Sequence, residues 1–344
     1  MNTSNPTAAA PLLNTRFTQR FGLTTPIALA PMALASGGAL AAACAQAGAL
    51  GLVGGGYGDL AWTQREYALA LQAAQASGSL ERIGIGFITW KLDEDASALD
   101  WVLDLPPAQR PRAVMLSFGD ARRYGPRILA AGAALICQIQ RVEQVAQAVE
   151  AGASVIAAQG GEAGGHGMNS LNSRAVITLV PELADWLAAH APHTLLLAAG
   201  GIADGRTLAA ARVLGADGAL VGSRLWATQE SLAAAGAKAQ ALVTDGDGTA
   251  RSSVFDVLRR KNWPAPYDFR AVRNGIHRAW EARLGELQAA PEPARADYDA
   301  GVQTGDFSRA HATVGEAVGL IHDAPPASEV IARMTADAHR LLLL

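Results

Sequence analysis

Residues 151–168 read AGASVIAAQGGEAGGHGM, and this stretch decides the fold. An apolar run at 154–158 follows an Ala-Gly-Ala turn, a pattern typical of a helix end that leads into a buried strand. The run ends in a glycine-rich segment with one histidine, His166. Glycine lets the backbone approach a ligand closely, so the segment predicts a binding loop. The alternative is a glycine-rich surface turn with an incidental histidine.

The same unit of apolar run and turn recurs along most of the chain. Continuous apolar runs, without alternation, indicate strands buried on both faces, as in a parallel sheet. The predicted strands are 26–31, 49–53, 83–88, 113–117, 134–138, 154–158, 194–199 and 217–221. The predicted helices between them include 38–47, 62–77, 141–151 and 205–214.

Eight strands that alternate with helices predict an α/β protein with a (β/α)8 TIM barrel, which we assign to residues 15–240. A doubly wound open sheet is the competing architecture, but no GxGxxG motif follows the first strand. Residues 241–344 are more polar and predict a smaller C-terminal helical subdomain packed on the barrel. Residues 1–14 are predicted to be a flexible N-terminus.

Composition narrows the class of protein. Half of the 344 residues are hydrophobic and the formal net charge is −3, so nothing favours binding to nucleic acid or to an anionic membrane. The uncharged stretch between Arg20 and Asp59 is interrupted by prolines and glycines, too often for a spanning helix. No Lys or Arg precedes Arg16, which argues against a secretory signal and favours a cytoplasmic location. Cys44 and Cys137 lie in apolar runs and are predicted to be reduced core thiols.

Active sites of TIM barrels lie at the C-terminal ends of the strands, where this chain carries glycines and polar groups. After the first strand, residues 31–33 could face a flat ring or form a structural turn. Gln138 ends the fifth strand with an amide that could address the edge of a heterocycle. The candidates on these strands are Pro31, Met32, Ala33, Gly86 and Gln138.

The last two strands lead into turns suited to a phosphate group. Loops after strands seven and eight of such barrels often bind phosphate through backbone N–H groups and a helix N-terminus. The candidates are Gly200, Gly201, Gly222 and Ser223, with Arg224 as a counter-charge. The alternative is a pair of tight barrel turns that hold no ligand.

His166 is the only histidine in a glycine-rich segment after a predicted strand. We predict that the other six are surface or capping groups. Glu162 lies four residues before His166, but the glycines between them argue against a helix, so no metal site is predicted. GxSxG and Walker motifs are absent from the sequence.

Three segments together resemble the nitronate monooxygenase family, formerly called 2-nitropropane dioxygenases: QGGEAGGHGM at 159–168, AAGGIADGRT at 198–207 and GADGALVGSRLWATQES at 215–231. LTTPIALAPMA at 23–33 and VGEAVGLIHDAPPASEV at 314–330 are also similar to that family. The resemblance spans nearly the whole chain, with its motifs in the same order and spacing.

The resemblance implies an FMN-binding (β/α)8 barrel with a smaller helical domain. It implies that Pro31 and Met32 lie against the isoalloxazine ring, and that His166 is the catalytic residue. Gln159 and Gly164 would lie beside the ring, and Gly160 and Gly165 of the same loop are further candidates for binding the cofactor. Gly200, Gly201, Gly222 and Ser223 would bind the phosphate.

One departure from the family concerns the third strand. Many members carry an asparagine there in a GVN-type motif, whereas this chain reads Gly84-Ile85-Gly86. The change removes a side chain expected near the flavin and leaves Phe87 and Trp90 to shape the pocket. From the tail, by which we mean residues 241–344, Trp263 or Tyr267 could also reach the pocket.

The implied activity is FMN-dependent oxidation of alkyl nitronates by O2 to carbonyl compounds. His166 would orient the nitro oxygens or act as a base on a neutral nitroalkane, a role suited to an unperturbed pKa near 6.5. One alternative is an NAD(P)H-dependent FMN reductase acting on quinones or enoyl thioesters, and another is a non-catalytic flavin-binding barrel. The expected partners are O2 and a small-molecule substrate, either a small nitronate such as propionate 3-nitronate or one of those reductase substrates. A homodimer stays open.

Overall fold

The computed structural model describes residues 13–344 of the chain. The predicted flexible segment, residues 1–14, lies outside the described residues except for its last two. In chain order the strands are β1 (Ile27–Leu29), β2 (Gly51–Gly56), β3 (Ile83–Ile88), β4 (Ala113–Ser117), β5 (Ala134–Ile139), β6 (Val155–Gln159), β7 (Gly165–Met168), β8 (Leu195–Ala199), β9 (Gly218–Val221), β10 (Thr249–Ser252) and β11 (Tyr267–Val272).

Eight of these strands form one parallel sheet in the order β1-β9-β8-β6-β5-β4-β3-β2. The two outer strands of that order meet: the N–H of Leu50 donates to the carbonyl of Ile27 at 3.0 Å, and the N–H of Leu29 donates to the carbonyl of Leu50 at 2.8 Å. The sheet is therefore closed into a barrel. All eight predicted strands are present, and the predicted (β/α)8 class is confirmed.

Helices cover the outside of the barrel and build most of the C-terminal region. The α-helices are α1 (Arg16–Phe21), α2 (Gly38–Gln46), α3 (Leu60–Ser77), α4 (Thr89–Leu92), α5 (Ser97–Asp104), α6 (Gly125–Ala130), α7 (Val145–Glu150), α8 (Val176–His190), α9 (Gly205–Val213), α10 (Ser223–Trp226), α11 (Ala235–Leu242), α12 (Val254–Leu258), α13 (Gly275–Trp280), α14 (Leu284–Ala289), α15 (Glu292–Thr304) and α16 (Ala327–Leu342). Short 3-10 helices occupy Leu80–Arg82, Pro107–Gln109, Ala121–Arg123, Val142–Gln144, Gly246–Gly248, Glu281–Arg283 and Glu316–Leu320.

The core has two layers, because the barrel strands are buried on both of their faces. Side chains such as Leu52, Met115 and Ile136 fill the inside of the barrel. Their neighbours on the same strands point outward and pack against the helices, as Val53 and Leu135 do. Because residues of a strand alternate between faces, a continuous apolar run is what both layers require.

The C-terminal region contains strands as well as helices. β10 and β11 form an antiparallel sheet with β7, in which Phe269 pairs with His166. Part of the segment predicted to be a loop, residues 165–168, is therefore a strand. Its extended backbone offers N–H and C=O groups that need partners, and β11, far along the chain, pairs with it.

The last helix belongs to the outer ring of the barrel. Val330, Ile331 and Met334 of α16 join the apolar cluster formed between the barrel strands and their helices, and α16 contacts both α2 and α9. The domain boundary at residue 240 stays a prediction.

Two further features bear on the class of protein. Among residues 13–344, no helix is both long enough and apolar enough to cross a bilayer. Cys44 and Cys137 are buried and unpaired, as expected of core thiols.

Candidate active site

A cavity of about 740 Å³ opens at the C-terminal ends of the barrel strands and extends beneath the C-terminal region. This volume is in the range of pockets that enclose small ligands. Most of the predicted site residues line it, namely Pro31, Met32, Ala33, Gln138, Gln159, Gly164, Gly165, His166, Gly200, Gly201, Gly222 and Ser223.

Two predicted residues lie behind the cavity wall. A Cβ atom on Gly86 would lie 2.4 Å from Cγ of Pro31, so the bare backbone of β3 lets the Pro31 turn settle against it. This close approach leaves no room at position 86 for the asparagine that many members of the resembling family carry. Gly160 donates its N–H to the carbonyl of Ala199 at 2.8 Å and so joins the ends of β6 and β8.

His166 on β7 is paired with an acidic residue that the sequence analysis did not identify. Its Nε2 lies 2.8 Å from Oδ1 of Asp256 on α12. Both side chains are buried, and Oδ2 of Asp256 has no hydrogen-bond partner in the described part of the chain. The pairing holds one ring nitrogen of His166 at the carboxyl group.

Burial governs the charge of this pair. It raises the pKa of the Asp256 carboxyl to about 7, against the opposing effect of Arg259. Burial, with the positive charges of Arg259 and Arg251, holds the pKa of His166 well below 6.5. His166 is therefore neutral at pH 7. When Asp256 is ionised it accepts from Nε2–H, which leaves the lone pair on Nδ1.

Aromatic rings enclose the histidine. Trp263 stacks on His166 with ring centroids 3.4 Å apart and planes at 11°. Its indole N–H donates to Oη of Tyr57 at 3.0 Å, and Phe118 contacts it edge-on at 5.0 Å. These rings form an apolar wall that restrains the imidazole. Trp263 lines the cavity, whereas Tyr267 does not and instead contacts two rings that do, those of Trp263 and Phe118.

Three glutamines link the strands beneath the histidine. Oε1 of Gln159 accepts from Nε2 of Gln138 at 3.1 Å and from Nε2 of Gln140 at 2.9 Å. Nε2 of Gln159 donates to the backbone carbonyl of His166 at 2.9 Å. The buried Gln159 amide therefore positions β7, and Gln138, which donates through Nε2, also lines the cavity.

The predicted phosphate turns meet at one end of the cavity. Gly222 is the N-cap of α10, whose first backbone N–H groups have no acceptor within the helix. Oγ of Ser223 accepts from the N–H of Gly315 at 2.8 Å, and its own proton stays available to a ligand. Arg224 is not the predicted counter-charge, because its buried guanidinium pairs with Asp323 at 3.0 Å, away from the cavity.

The segment at 314–316 closes against the glycine-rich loop. A Cβ atom on Gly164 would lie 2.5 Å from the backbone N of Gly315, so the two backbones touch directly. The N–H of Glu316 donates to the carbonyl of Glu162 at 2.9 Å. The C-terminal region therefore completes the wall that the loop begins.

The tail histidines differ from the prediction that all are surface or capping groups. His311 lines the cavity, and burial lowers its pKa to about 3. Its Nδ1 lies 2.6 Å from Oη of Tyr298. His277 is buried and contacts Oγ of Ser252 at 2.8 Å. The prediction is wrong for these two residues, since the apolar periodicity of the tail gave no sign that they turn inward.

The donor set fits an organic cofactor with a flat ring and a phosphate. Pro31, Met32 and the amide of Gln138 offer apolar and hydrogen-bonding contacts along a ring, and the turns at 200–201 and 222–223 offer N–H groups to an anion. In residues 13–344, no group of three or more metal-ligating side chains is arranged to hold a metal ion.

Comparison with known proteins agrees with this chemistry. A sequence profile of nitronate monooxygenases matches residues 96–337. A nitronate monooxygenase of Neurospora crassa is 30% identical over 338 residues, covering 90% of this chain and 88% of that protein. The nitronate monooxygenase npaC of Metarhizium robertsii is 34% identical over 346 residues, covering 91% and 90%.

Among solved structures, FabK from Thermotoga maritima superimposes with a TM-score of 0.79 at 24% identity, covering 96% of this chain and 97% of that one. That likeness supports the barrel fold alone. The profile match and the two fungal relatives go further: the chain belongs to the nitronate monooxygenase family, whose members are flavin-dependent oxidoreductases.

Proposed function

We propose that this protein binds FMN and oxidises alkyl nitronates with O2 to carbonyl compounds. When bound, FMN would take electrons from the substrate and pass them to O2. The observation that carries the proposal is the buried pair of His166 and Asp256 at the cavity wall, 2.8 Å apart. Family membership and the two nitronate monooxygenase relatives support the same reaction.

His166 would act on the substrate through Nδ1. With Nε2–H donated to the ionised Asp256 carboxylate, Nδ1 carries a lone pair that can take the α-proton of a neutral nitroalkane. A nitronate has already lost that proton, so it needs only to be oriented. The same pair therefore predicts a larger role in the turnover of the neutral substrate.

The other predicted residues would bind the cofactor. Pro31, Met32 and Ala33 would lie against the flavin ring, and Gln138 would hydrogen-bond its edge. Gly200, Gly201, Gly222 and Ser223 would hold the phosphate, which distinguishes FMN from riboflavin. Gln159 supports this arrangement indirectly, because its amide positions the carbonyl of His166.

The proposal is tested by measuring O2 consumption by FMN-loaded protein with an alkyl nitronate, with the parent nitroalkane and with NADH plus a quinone. We expect rapid O2 uptake with the nitronate and slower uptake with the nitroalkane. The His166→Asn variant should keep its flavin and lose nitroalkane turnover most. NADH consumption without nitronate turnover would overturn the proposal in favour of a reductase, and a variant as active as the wild type would overturn the role of His166.

We also propose a cytoplasmic location. Support comes from Cys44 and Cys137, which are free thiols in the core, as is usual in a reducing compartment. Measuring the distribution of the tagged protein between cell fractions tests this, and a membrane or secreted fraction would contradict it.

A further inference from the structure

Arg259 is a cationic side chain of the cavity wall that has no ion-pair partner among residues 13–344. It follows α12 as its C-cap residue and lines the cavity. Its Nη1 is buried and has no hydrogen-bond partner among the described residues. Neighbouring arginines are paired: Arg251 with Asp268 at 3.1 Å, and Arg260 with Asp299 at 2.9 Å.

The guanidinium of Arg259 and the imidazole of His166 both lie against the ring of Phe269, and all three residues line the cavity. The Arg259 guanidinium carbon lies 4.7 Å from the ring centroid of Phe269, and the His166 ring lies 4.7 Å from the same centroid. The positive charge of Arg259 also contributes to the low pKa of His166. A ligand group held by Arg259 would therefore lie in the same cavity as the imidazole.

In the part of the chain that the structure describes, no carboxylate forms an ion pair with Arg259. Asp256 is the nearest on the same helix, but its Oδ1 is taken by His166 and it forms no ion pair with Arg259 within residues 13–344. Asp299, which also lines the cavity, pairs with Arg260 at 2.9 Å. A buried donor without an acceptor costs free energy, so Nη1 is suited to an acceptor that the substrate brings.

We propose that Arg259 is an anion-binding residue of the substrate pocket, which holds a planar two-oxygen anion of the substrate in the cavity that His166 lines. This inference rests on the proposed function and extends it to how the substrate is recognised. The guanidinium presents parallel N–H donors that match two oxygens in one plane, the geometry shared by a nitronate and a carboxylate group. It selects anions over neutral molecules of the same shape.

Binding of an unreactive anion tests this without turnover. Propionate and its neutral analogue propionamide are titrated into FMN-loaded protein by calorimetry. Wild type should bind propionate and bind propionamide at least about tenfold more weakly, since hydrogen bonds to charged groups are the stronger ones. Equal affinities for the two would overturn the proposal, whatever the variants do.

Substitutions then assign the site. Arg259→Met keeps the length of the side chain and removes the charge, and we expect it to weaken propionate binding by about 10- to 100-fold. Arg259→Lys keeps the positive charge but loses the parallel N–H donors of the guanidinium. Its affinity for propionate should lie between those of the wild type and of Arg259→Met. The matched control is Arg283→Met, which removes a charge from an exposed ion pair with Glu286 and should bind as wild type does. Unchanged affinity in Arg259→Met contradicts the proposal.

Kinetics with two substrates identify which anion is held. A simple alkyl nitronate is compared with a nitronate that carries a carboxylate at its far end. If Arg259→Met raises KM for both equally, the guanidinium holds the nitronate group. If only the carboxylated substrate is affected, it holds the distal carboxylate. An unchanged KM for both overturns the proposal.

The two proposals fail separately. Propionate binding that depends on Arg259 in a protein without nitronate turnover would overturn the proposed function and leave the anion site standing. If nitronate turnover and propionate affinity are both unchanged in Arg259→Met, the anion site is overturned and the proposed function stands.

Discussion

Nε2 of His166 lies 2.8 Å from Oδ1 of Asp256, although 90 residues separate the two in sequence. The contact is made because β7, which carries His166, pairs with β11, and α12 packs against β11. Asp256 is thus a positioning residue, which acts on the substrate through the histidine. Its buried carboxyl decides which nitrogen of the ring carries the proton.

Replacing Asp256 by asparagine should change that tautomer. An asparagine amide can donate to Nε2, which would move the ring proton to Nδ1 and remove the base. We expect kcat/KM for a neutral nitroalkane to fall about 100-fold or more, with nitronate turnover much less affected. Steady-state O2 uptake measures this. Asp297→Asn, which alters an exposed ion pair with Arg309, is the control. Equal losses on both substrates would indicate a general structural role.

The pH dependence follows from the raised pKa of Asp256, about 7. Below that pH the carboxyl is protonated and no longer accepts from Nε2–H, so Nδ1 is less often the free base. We expect kcat/KM for the neutral nitroalkane to rise with pH through about 7 and then level off. Asp256→Asn should lack this step. A pH profile with the same step in the variant would show that another group titrates.

Ser223→Ala tests the phosphate turn. The variant loses the hydroxyl that accepts from the N–H of Gly315 and that would donate to the phosphate. We expect FMN affinity to drop about 10- to 100-fold, as for a hydrogen bond to a charged group. Riboflavin, which has no phosphate, should bind both proteins alike. Fluorescence titration of the apoprotein measures both, and an equal loss for the two flavins would refute phosphate binding at this turn.

Gly164→Ala tests the contact between the loop and the C-terminal region. The added Cβ would lie 2.5 Å from the backbone N of Gly315, so one of the two segments must shift. We expect a loss of about 1–3 kcal/mol in the free energy of unfolding, together with weaker flavin binding. Gly285→Ala is the matched control, because apart from its chain neighbours and the backbone of its own helix no atom lies within 4 Å of the added Cβ. Denaturant unfolding that leaves both variants equally stable would contradict the contact.

The barrel was predictable because its signal is local. Five consecutive apolar or small residues predict a strand such as Ala113–Ser117. The neighbouring helices are predicted by the periodicity of their own apolar residues. The same holds for the turns at Gly200 and Ser223, whose place after two late strands follows from counting elements. His166 was identified because glycines surround it in the sequence.

Residues that depend on distant pairing were not predictable in this way. The strand at Gly165–Met168 exists because β11 satisfies its backbone, and a glycine-rich segment alone does not reveal such a partner. Asp256, Arg259 and His311 lie in a tail with ordinary helical composition, where nothing local distinguishes an inward carboxylate from a solvated one. Their role arises only when the C-terminal region packs over the barrel mouth.

In the function that we propose, a nitronate bound near His166 is the substrate that reduces the flavin. Anaerobic mixing of the FMN-loaded protein with an alkyl nitronate, NADH or NADPH, followed by flavin absorbance, tests it most directly. We expect rapid bleaching of the flavin by the nitronate and no bleaching by NADH or NADPH. Rapid bleaching by NADH or NADPH with no response to the nitronate would contradict it.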